Sequence, residues 1–265
     1  MSDSQGPSEI GVAIAELRSA SIFLTRVPPR YVGASPTEVP DFRHAARVFP
    51  VVGAAVGLAG GVVLLVANTL GMSALVCAGL AIATTAIVTG SLHEDGLADA
   101  TDSLGGATTE KKLAIMDDSR VGTYGAVALI LSIVLRVAAL AAVAVISPLS
   151  AALVLIAAEA VSRAALVRLW HDLPAARLGG LSNDAGVPDQ NAMLVAIAVA
   201  AVIAVVLGLP AVGLWPTILA GTLAIVATYV VIRVTARTLG GRTGDTLGAC
   251  QQAAVVAFLI GASVS

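Results

Sequence analysis

The chain has few charged residues, few aromatic residues and almost no cysteine. Of its 265 residues, 12% are charged and 3% are aromatic, and there are only two cysteines. Soluble domains carry about twice this share of charge, so a soluble enzyme is not the expected class. Cys77 and Cys250 lie inside apolar stretches, which argues against a disulfide framework and a thiolate metal site. We predict that both are inert packing residues.

The residues that are abundant are apolar, at 57% of the chain. Four apolar blocks, 48–92, 121–167, 191–232 and 246–265, contain only the charged residues Arg136, Glu159 and Arg163. A transmembrane helix needs about 20 apolar residues, and turn formers at 68–71, 147–148 and 208–210 divide the first three blocks. We therefore predict one all-α, polytopic membrane domain over 1–265, with spans at 48–68, 72–92, 123–145, 149–169, 191–208, 211–233 and 245–264.

Basic residues orient this seven-helix bundle. With seven spans, every arginine and lysine outside the spans falls on one side, and the positive-inside rule makes that side cytoplasmic. Residues 10–27 place Ile10, Ile14, Leu17 and Leu24 on one helical face, which predicts an interfacial amphipathic helix rather than a further span. Residues 1–9 are expected to be disordered. The expected location is a bacterial or archaeal cell membrane, the inner one where there are two.

One short segment between the second and third spans is rich in acids. It reads His93-Glu94-Asp95-Gly96-Leu97-Ala98-Asp99-Ala100-Thr101-Asp102. Asp95, Asp99 and Asp102 share one face of a helix, and hard oxygen ligands at this spacing suit Mg²⁺ or Mn²⁺. A cluster of acids at the end of an apolar helix suggests a metal-bound phosphate.

A Gly-rich segment, 238–248, precedes the last span. Glycines before a helix expose backbone N–H groups that can hold phosphate oxygens, although no Lys-Ser/Thr pair follows as in a Walker A loop. Asp245 within it would repel phosphate unless a metal lies between them. Ordinary alternatives exist: the acids can be merely solvated, the glycines can be helix caps, His93 can be a boundary residue, and Glu159 and Arg163 can neutralise each other.

Three long motifs, in order, resemble the adenosylcobinamide-GDP ribazoletransferases, also called cobalamin synthases. They are Gly90 to Asp102, Ile115-Met116-Asp117-Asp118-Ser119-Arg120-Val121-Gly122-Thr123-Tyr124-Gly125, and Gly240-Gly241-Arg242-Thr243-Gly244-Asp245-Thr246-Leu247-Gly248-Ala249. Phe23 to Pro28 and Val161-Ser162-Arg163 fit the same family. The resemblance runs from about residue 20 to the C-terminus.

The resemblance implies an Mg²⁺-dependent reaction in which a ribose hydroxyl of α-ribazole, or of its 5′-phosphate, attacks adenosylcobinamide-GDP and expels GMP. Asp95, Asp99, Asp102 and Asp245 would bind the metal, and His93 or a carboxylate, Asp95 among them, would be the catalytic base. Arg120 would neutralise phosphate charge. The implied substrate-binding residues are Lys111, Asp118, Ser119, Arg163, Gly241, Thr243 and Gly244. The expected partners are these substrates and the lipid bilayer, without nucleic acid, and a homo-oligomer or an association with other corrinoid-assembly enzymes is compatible with them.

Two positions depart from the family pattern. Glu94 stands where the family usually has Leu, and it either adds a carboxylate to the site or sits at the headgroup boundary. Asp117 stands where the family usually has Arg, so we expect it to point away from the substrate phosphates.

Two other classes of protein remain as alternatives. A membrane prenyltransferase or alcohol phosphotransferase also uses Asp-rich motifs and Mg²⁺. The alcohol phosphotransferase motif has Ala-Arg after Asp-Gly-x-x, but in this chain Leu97, Ala98 and Asp99 follow Gly96. An ion-coupled transporter would use Arg136, Glu159 and Arg163 at the bilayer midplane. Here most charges lie in loops instead, and the two halves of the chain do not look alike.

Overall fold

A computed structural model describes residues 9–32, 42–177 and 186–264 of the chain. These residues form α-helices, joined by short turns and one 3₁₀ segment at Ala46–Val48, so the all-α prediction is confirmed. Of the segment expected to be disordered, residues 1–8 lie outside the described residues and residue 9 already belongs to the first helix. The helices are α1 Glu9–Leu24, α2 Pro29–Val32, α3 Phe42–Ala45, α4 Phe49–Thr69, α5 Ala74–Thr89, α6 Leu92–Ser103, α7 Thr109–Met116, α8 Thr123–Ile146, α9 Pro148–Asp172, α10 Gln190–Val212, α11 Leu214–Leu239 and α12 Gly244–Ala262.

The predicted membrane spans correspond to seven of these helices. Six helical segments, those containing α4, α8, α9, α10, α11 and α12, are each long and apolar enough to cross a membrane. The seventh is α5, which is followed after a bend of 88° by α6. The polytopic bundle expected from hydropathy is therefore confirmed, with six spans or seven when this bent pair is counted.

Small residues bring the central helix α9 close to its neighbour α4. A Cβ on Gly53 would lie 2.4 Å from the carbonyl oxygen of Glu159, and one on Gly57 would lie 2.7 Å from the Cα of Ile156. Glycine at these two positions therefore lets the two backbones touch, as is typical of helix pairs in membranes. This packing buries the middle of α9, which carries the charged residues Glu159 and Arg163.

One end of the bundle gathers the polar segments. The C-terminal ends of α5, α9 and α11 and the N-terminal ends of α8, α10 and α12 meet there, because consecutive spans alternate in direction. Contacts between distant segments confirm this meeting: Asp189 N–H donates to the carbonyl of Arg43 at 3.0 Å, and Arg242 N–H donates to the carbonyl of Pro174 at 2.7 Å. We call this the polar end of the bundle.

The N-terminal helix α1 packs at the polar end. Phe23 near its C-terminus contacts the rings of Phe42, Phe49 and Trp170, with centroid separations of 4.7, 5.7 and 5.4 Å. Ile10 and Ile14, at the start of α1, remain exposed. A buried C-terminal half and an exposed apolar N-terminal half suit a helix lying along the bilayer surface, and that placement stays a prediction.

One predicted helix boundary is wrong. The turn expected at 208–210 does not form, since α10 continues through Pro210 to Val212. Proline removes a backbone donor and crowds the preceding turn, yet the helix continues for two residues beyond Pro210 before it ends. The chain reverses instead at Gly213, whose φ of 85° lies in the region that favours glycine.

Candidate active site

The acid-rich helix α6 crosses the polar end because of a sharp turn. Gly90 and Ser91, between α5 and α6, both have positive φ, of 64° and 55°. Such a φ is uncommon for serine and marks a strained position that the surrounding structure must maintain. A Cβ on Gly90 would clash with the side chain of Arg26, 2.1 Å from its Cγ. The turn therefore fixes the direction in which α6 leaves the bundle.

Two glycines then hold α6 against the start of α12. A Cβ on Gly96 would lie 2.9 Å from the carbonyl oxygen of Asp245, and one on Gly248 would lie 3.1 Å from that of His93. Both neighbours are backbone atoms, so neither can move aside as a side chain would. This contact brings the acidic face of α6 to Asp245, although the two segments are about 150 positions apart in the sequence.

Four carboxylates interact at this junction. Asp95, Asp102 and Asp245 all lie close enough to Asp99 for their charges to repel its own. Asp95 is exposed, while Asp99 and Asp245 are half-buried. Among the described residues, no hydrogen bond reaches the carboxylates of Asp95 or Asp99, so their oxygen lone pairs remain open to a cation.

The donor chemistry suits Mg²⁺, but the carboxylates do not form a closed cage. In the described part of the chain, no three His, Cys, Asp or Glu side chains converge closely enough to hold a metal ion. Mg²⁺ in proteins is commonly bound by one or two carboxylates, with waters and substrate phosphates completing the octahedron. The residues present fit a metal that is shared with a bound phosphate.

Asp102 has a partner that the sequence did not indicate. Its carboxylate accepts the backbone N–H groups of Gly122, at 2.7 Å, and of Gly125, at 2.9 Å. These groups lie at the N-terminus of α8, so Asp102 caps that helix. Its assignment as a metal ligand stays a prediction, while the cap ties α6 to α8.

Glu94 and His93 point into the bundle instead of towards the acids. Glu94 is buried and forms an ion pair with Arg136 of α8, whose Nη1 lies 3.1 Å from Glu94 Oε1. It therefore neither joins the carboxylate cluster nor sits at the boundary, the two alternatives considered from sequence. His93 is 2% exposed and lies near both Arg136 and Arg163.

A second ion pair and a polar chain complete the interior. Glu159 and Arg163 of α9 pair with each other, which confirms the neutralising interpretation. Arg163 is thus placed inside the bundle and not among the carboxylates of the cluster. Sequence reasoning missed the hydrogen-bonded chain beside it, in which Ser162, Gln251, Gln252 and Ser132 are linked at 2.9–3.1 Å. The pair Gln251-Gln252 inside an apolar span was its only sequence signal.

The Gly-rich segment is largely occupied by its own contacts. Arg242 N–H is bonded to Pro174, and the main chain of Arg242 also accepts Ala176 N–H at 2.9 Å. Thr243 N–H donates to Thr246 Oγ1 at 2.9 Å, in a capping box at the start of α12. Gly244 is exposed beside it. Thr246 N–H in turn donates to Thr243 Oγ1 at 3.2 Å, so within the described residues Gly244 N–H is the first-turn group left for a phosphate.

The loop between α7 and α8 places its predicted residues outward. Arg120 is bound in a fork by Asp118, with its Nη2 2.7 Å from Asp118 Oδ2. This guanidinium holds the pKa of Asp118 at about 2. Ser119 and Lys111 are exposed. None of these side chains contacts the carboxylates of the cluster.

A cation that sequence reasoning did not select lies over the site. Arg177, after α9, donates through Nη1 to both carboxylate oxygens of Asp117, at 2.8 and 2.6 Å. The hydrogen bond from Arg177 holds the pKa of Asp117 below its usual range. Arg177 also lies close enough to Asp245 for their charges to attract. The substitution at Asp117 was the signal that a compensating cation could be elsewhere.

Together, these features define a multi-pass helical membrane protein with a carboxylate cluster at its arginine-rich polar end. A sequence model described as cobalamin-5-phosphate synthase matches residues 16–263. The chain belongs to this family.

Similar proteins carry a common name. A protein of Azorhizobium caulinodans named adenosylcobinamide-GDP ribazoletransferase is 43% identical over 94% of this chain and 95% of its own length. Proteins with the same name from Bradyrhizobium diazoefficiens and Rhizobium meliloti are 42% and 44% identical, over 96% and 89% of this chain and 95% and 91% of their own lengths. No solved structure matches the chain.

Proposed function

We propose that the protein is an Mg²⁺-dependent adenosylcobinamide-GDP ribazoletransferase of cobalamin synthesis. The observation that carries the proposal is the junction of α6 and α12, which brings Asp95, Asp99 and Asp245 together at the polar end of a chain from this family. The name shared by its relatives supports the substrates, adenosylcobinamide-GDP and α-ribazole or its 5′-phosphate.

The reaction is a displacement at phosphorus. A ribose hydroxyl oxygen forms a bond to the phosphorus attached to cobinamide, and the bond from that phosphorus to the bridging pyrophosphate oxygen breaks. GMP leaves with the bridging oxygen, and the hydroxyl proton passes to a base. When bound, Mg²⁺ supplies neutralisation of the phosphate charge. Catalysis of this kind depends mainly on positioning and on charge stabilisation.

Each carboxylate then has a separate role. Asp95, Asp99 and Asp245 would hold the metal together with the substrate phosphate, because the contact of α6 with α12 brings their charges within interacting range. Asp102 positions the loop that carries Arg120, since its carboxylate caps α8. A carboxylate of α6 is a better candidate than His93 for the base, because His93 is buried among two arginines.

The polar end is proposed to face the cytoplasm. The basic residues before α4 and after α9 and α11 lie at that end, and positively charged loops remain on the cytoplasmic side. Adenosylcobinamide-GDP and GMP are charged nucleotides, so a cytoplasmic site gives them direct access. The intramembrane charges do not favour a transporter, since Arg136 and Arg163 are each paired with a glutamate.

The test is turnover by the purified protein. Incubation with adenosylcobinamide-GDP, α-ribazole and Mg²⁺ should release GMP and yield adenosylcobalamin in equal amounts. Replacing α-ribazole by its 5′-phosphate compares the two acceptors. Absence of GMP release with either acceptor, in protein that remains folded in detergent, would refute the proposed reaction.

A further inference from the structure

The segment that carries Arg177 is anchored by backbone contacts to the Gly-rich segment. The segment 173–177 runs beside the Gly-rich segment, where Ala175 and Arg242 form an isolated parallel bridge. A Cβ on Gly241 would lie 2.7 Å from both the nitrogen of Ala176 and the carbonyl oxygen of Pro174. Only glycine leaves room for this approach, so the segment carrying Arg177 is docked directly beside the start of α12.

Asp117 fixes the guanidinium group of the Arg177 side chain. Both carboxylate oxygens of Asp117 bind Nη1, while about two-fifths of the Arg177 side chain, 43%, stays exposed. Arg177 is also attracted by Asp245, one of the proposed metal ligands. The guanidinium therefore interacts both with Asp117, just after α7, and with Asp245 of the carboxylate cluster, and it is accessible from solvent.

We propose that Arg177 binds the pyrophosphate of the nucleotide substrate, and that Asp117 positions it. This inference rests on the proposed function. An arginine fork can bind two phosphate oxygens at once, and a phosphate shared with a metal on Asp245 would come within reach of Arg177. Arg120 is paired with Asp118 and faces solvent, whereas Arg177 lies close enough to Asp245 for their charges to attract.

The proposal differs from a purely structural ion pair in what each partner contributes. If the ion pair of Arg177 and Asp117 only links two segments of the chain, removing either partner should have the same effect on substrate binding. If Arg177 contacts pyrophosphate, Arg177→Ala removes both the ion pair and the ligand contact, whereas Asp117→Ala removes the ion pair alone. The bridge at Ala175 still anchors Arg177 in the second variant, so a part of the function should remain.

The experiment compares Arg177→Ala, Arg177→Lys and Asp117→Ala with the original protein. GDP with Mg²⁺ serves as a binding probe that does not require turnover, and GMP release gives the KM for adenosylcobinamide-GDP. We expect Arg177→Ala to weaken GDP binding and raise this KM about tenfold or more, a loss of about 1.4 kcal/mol. Arg177→Lys should lose less, and Asp117→Ala should change both values at most a few-fold.

Two results would overturn the inference. One is an equal loss of GDP affinity in Arg177→Ala and Asp117→Ala, which would show that the ion pair has only a structural role. The other is unchanged GDP affinity in Arg177→Ala while the original protein releases GMP, which would leave the proposed function intact. If GDP binding depends on Arg177 and the original protein releases no GMP, the pyrophosphate contact stands and the proposed reaction fails.

Discussion

The buried ion pair between Glu94 and Arg136 can be tested by replacing its members singly and together. Arg136 is 1% exposed, and its Nη1 lies 3.1 Å from Glu94 Oε1. At that distance, an effective dielectric constant of about 20 gives an attraction of about 5 kcal/mol. Within the described residues, Glu94 Oε2 and Arg136 Nε and Nη2 have no partner, so the pair offsets only part of the cost of burying its charges.

We therefore expect unequal effects from the three variants. Glu94→Leu leaves a buried guanidinium without its counter-ion, which typically costs about 3–5 kcal/mol. In a domain of this size, that loss lowers the unfolding temperature by about 6–20 °C. Glu94→Leu combined with Arg136→Leu removes both charges and should unfold within a few degrees of the original protein, because well-packed apolar residues often replace buried pairs without loss.

The two cysteines provide the assay. Cys77 and Cys250 are 1% and 0% exposed, so a thiol-reactive fluorophore added in detergent gains signal only when the bundle opens. The midpoint is read on heating for each variant at one protein concentration and scan rate, since unfolding of membrane proteins is often irreversible. A double variant as unstable as Glu94→Leu, or a single variant as stable as the original, would refute the argument that the pair is a mutual compensation of charge.

Three further outcomes are expected. Asp95→Asn and Asp245→Asn keep the side-chain shape but lose the charge that a hard cation needs, so each should abolish GMP release with an unchanged unfolding temperature. Near-normal turnover in Mg²⁺ would remove that residue from the metal site. Arg120→Lys loses the guanidinium fork and should lower turnover more than protein abundance, and a normal rate would show that Arg120 stays with Asp118. Glu110→Cys should resist an impermeant thiol reagent added to intact cells while Met72→Cys reacts, and the reverse pattern would invert the proposed orientation.

Sequence reasoning located the spans and the acidic helix well because both depend on local patterns. Long apolar blocks identify membrane helices, and the i, i+4, i+7 spacing placed three aspartates on one face of what is indeed a helix. The wrong boundary at 208–210 arose because a proline was read as a break. The helix accommodates this proline in its last turn, and the reversal falls instead at the next glycine with positive φ.

The pairing between distant charges could not be predicted. Glu94 and Arg136, or Asp117 and Arg177, are separated by 42 and 60 positions, and no local spacing encodes such contacts. An intramembrane arginine such as Arg136 needs a partner, but the sequence offers several acids that could supply it. Only the direction in which α6 leaves the turn at Gly90 and Ser91 decides that Glu94 faces inward while Asp95 faces the cluster.

The contact of α6 with α12 is the step on which the whole site depends, and a single methyl group should test it. A Cβ at Gly96 would lie 2.9 Å from the carbonyl oxygen and 3.0 Å from the Cα of Asp245. Both are backbone atoms at the rigid start of a helix, so Gly96→Ala should push α6 away from Asp245 and separate the proposed ligands.

Gly79→Ala is the matched control, because Gly79 also lies within a helix and its Cβ would meet nothing within 4 Å. Alanine favours a helix over glycine by about 1 kcal/mol, so the control variant should be as stable as the original protein or more so. We expect Gly96→Ala to lower the rate of GMP release at least tenfold and to raise the Mg²⁺ concentration needed for half-maximal rate, while Gly79→Ala changes neither. Metal dependence is the decisive readout, since general destabilisation would reduce the amount of active enzyme without shifting it. If Gly96→Ala kept the original Mg²⁺ requirement, the carboxylates on the two helices would not share a metal.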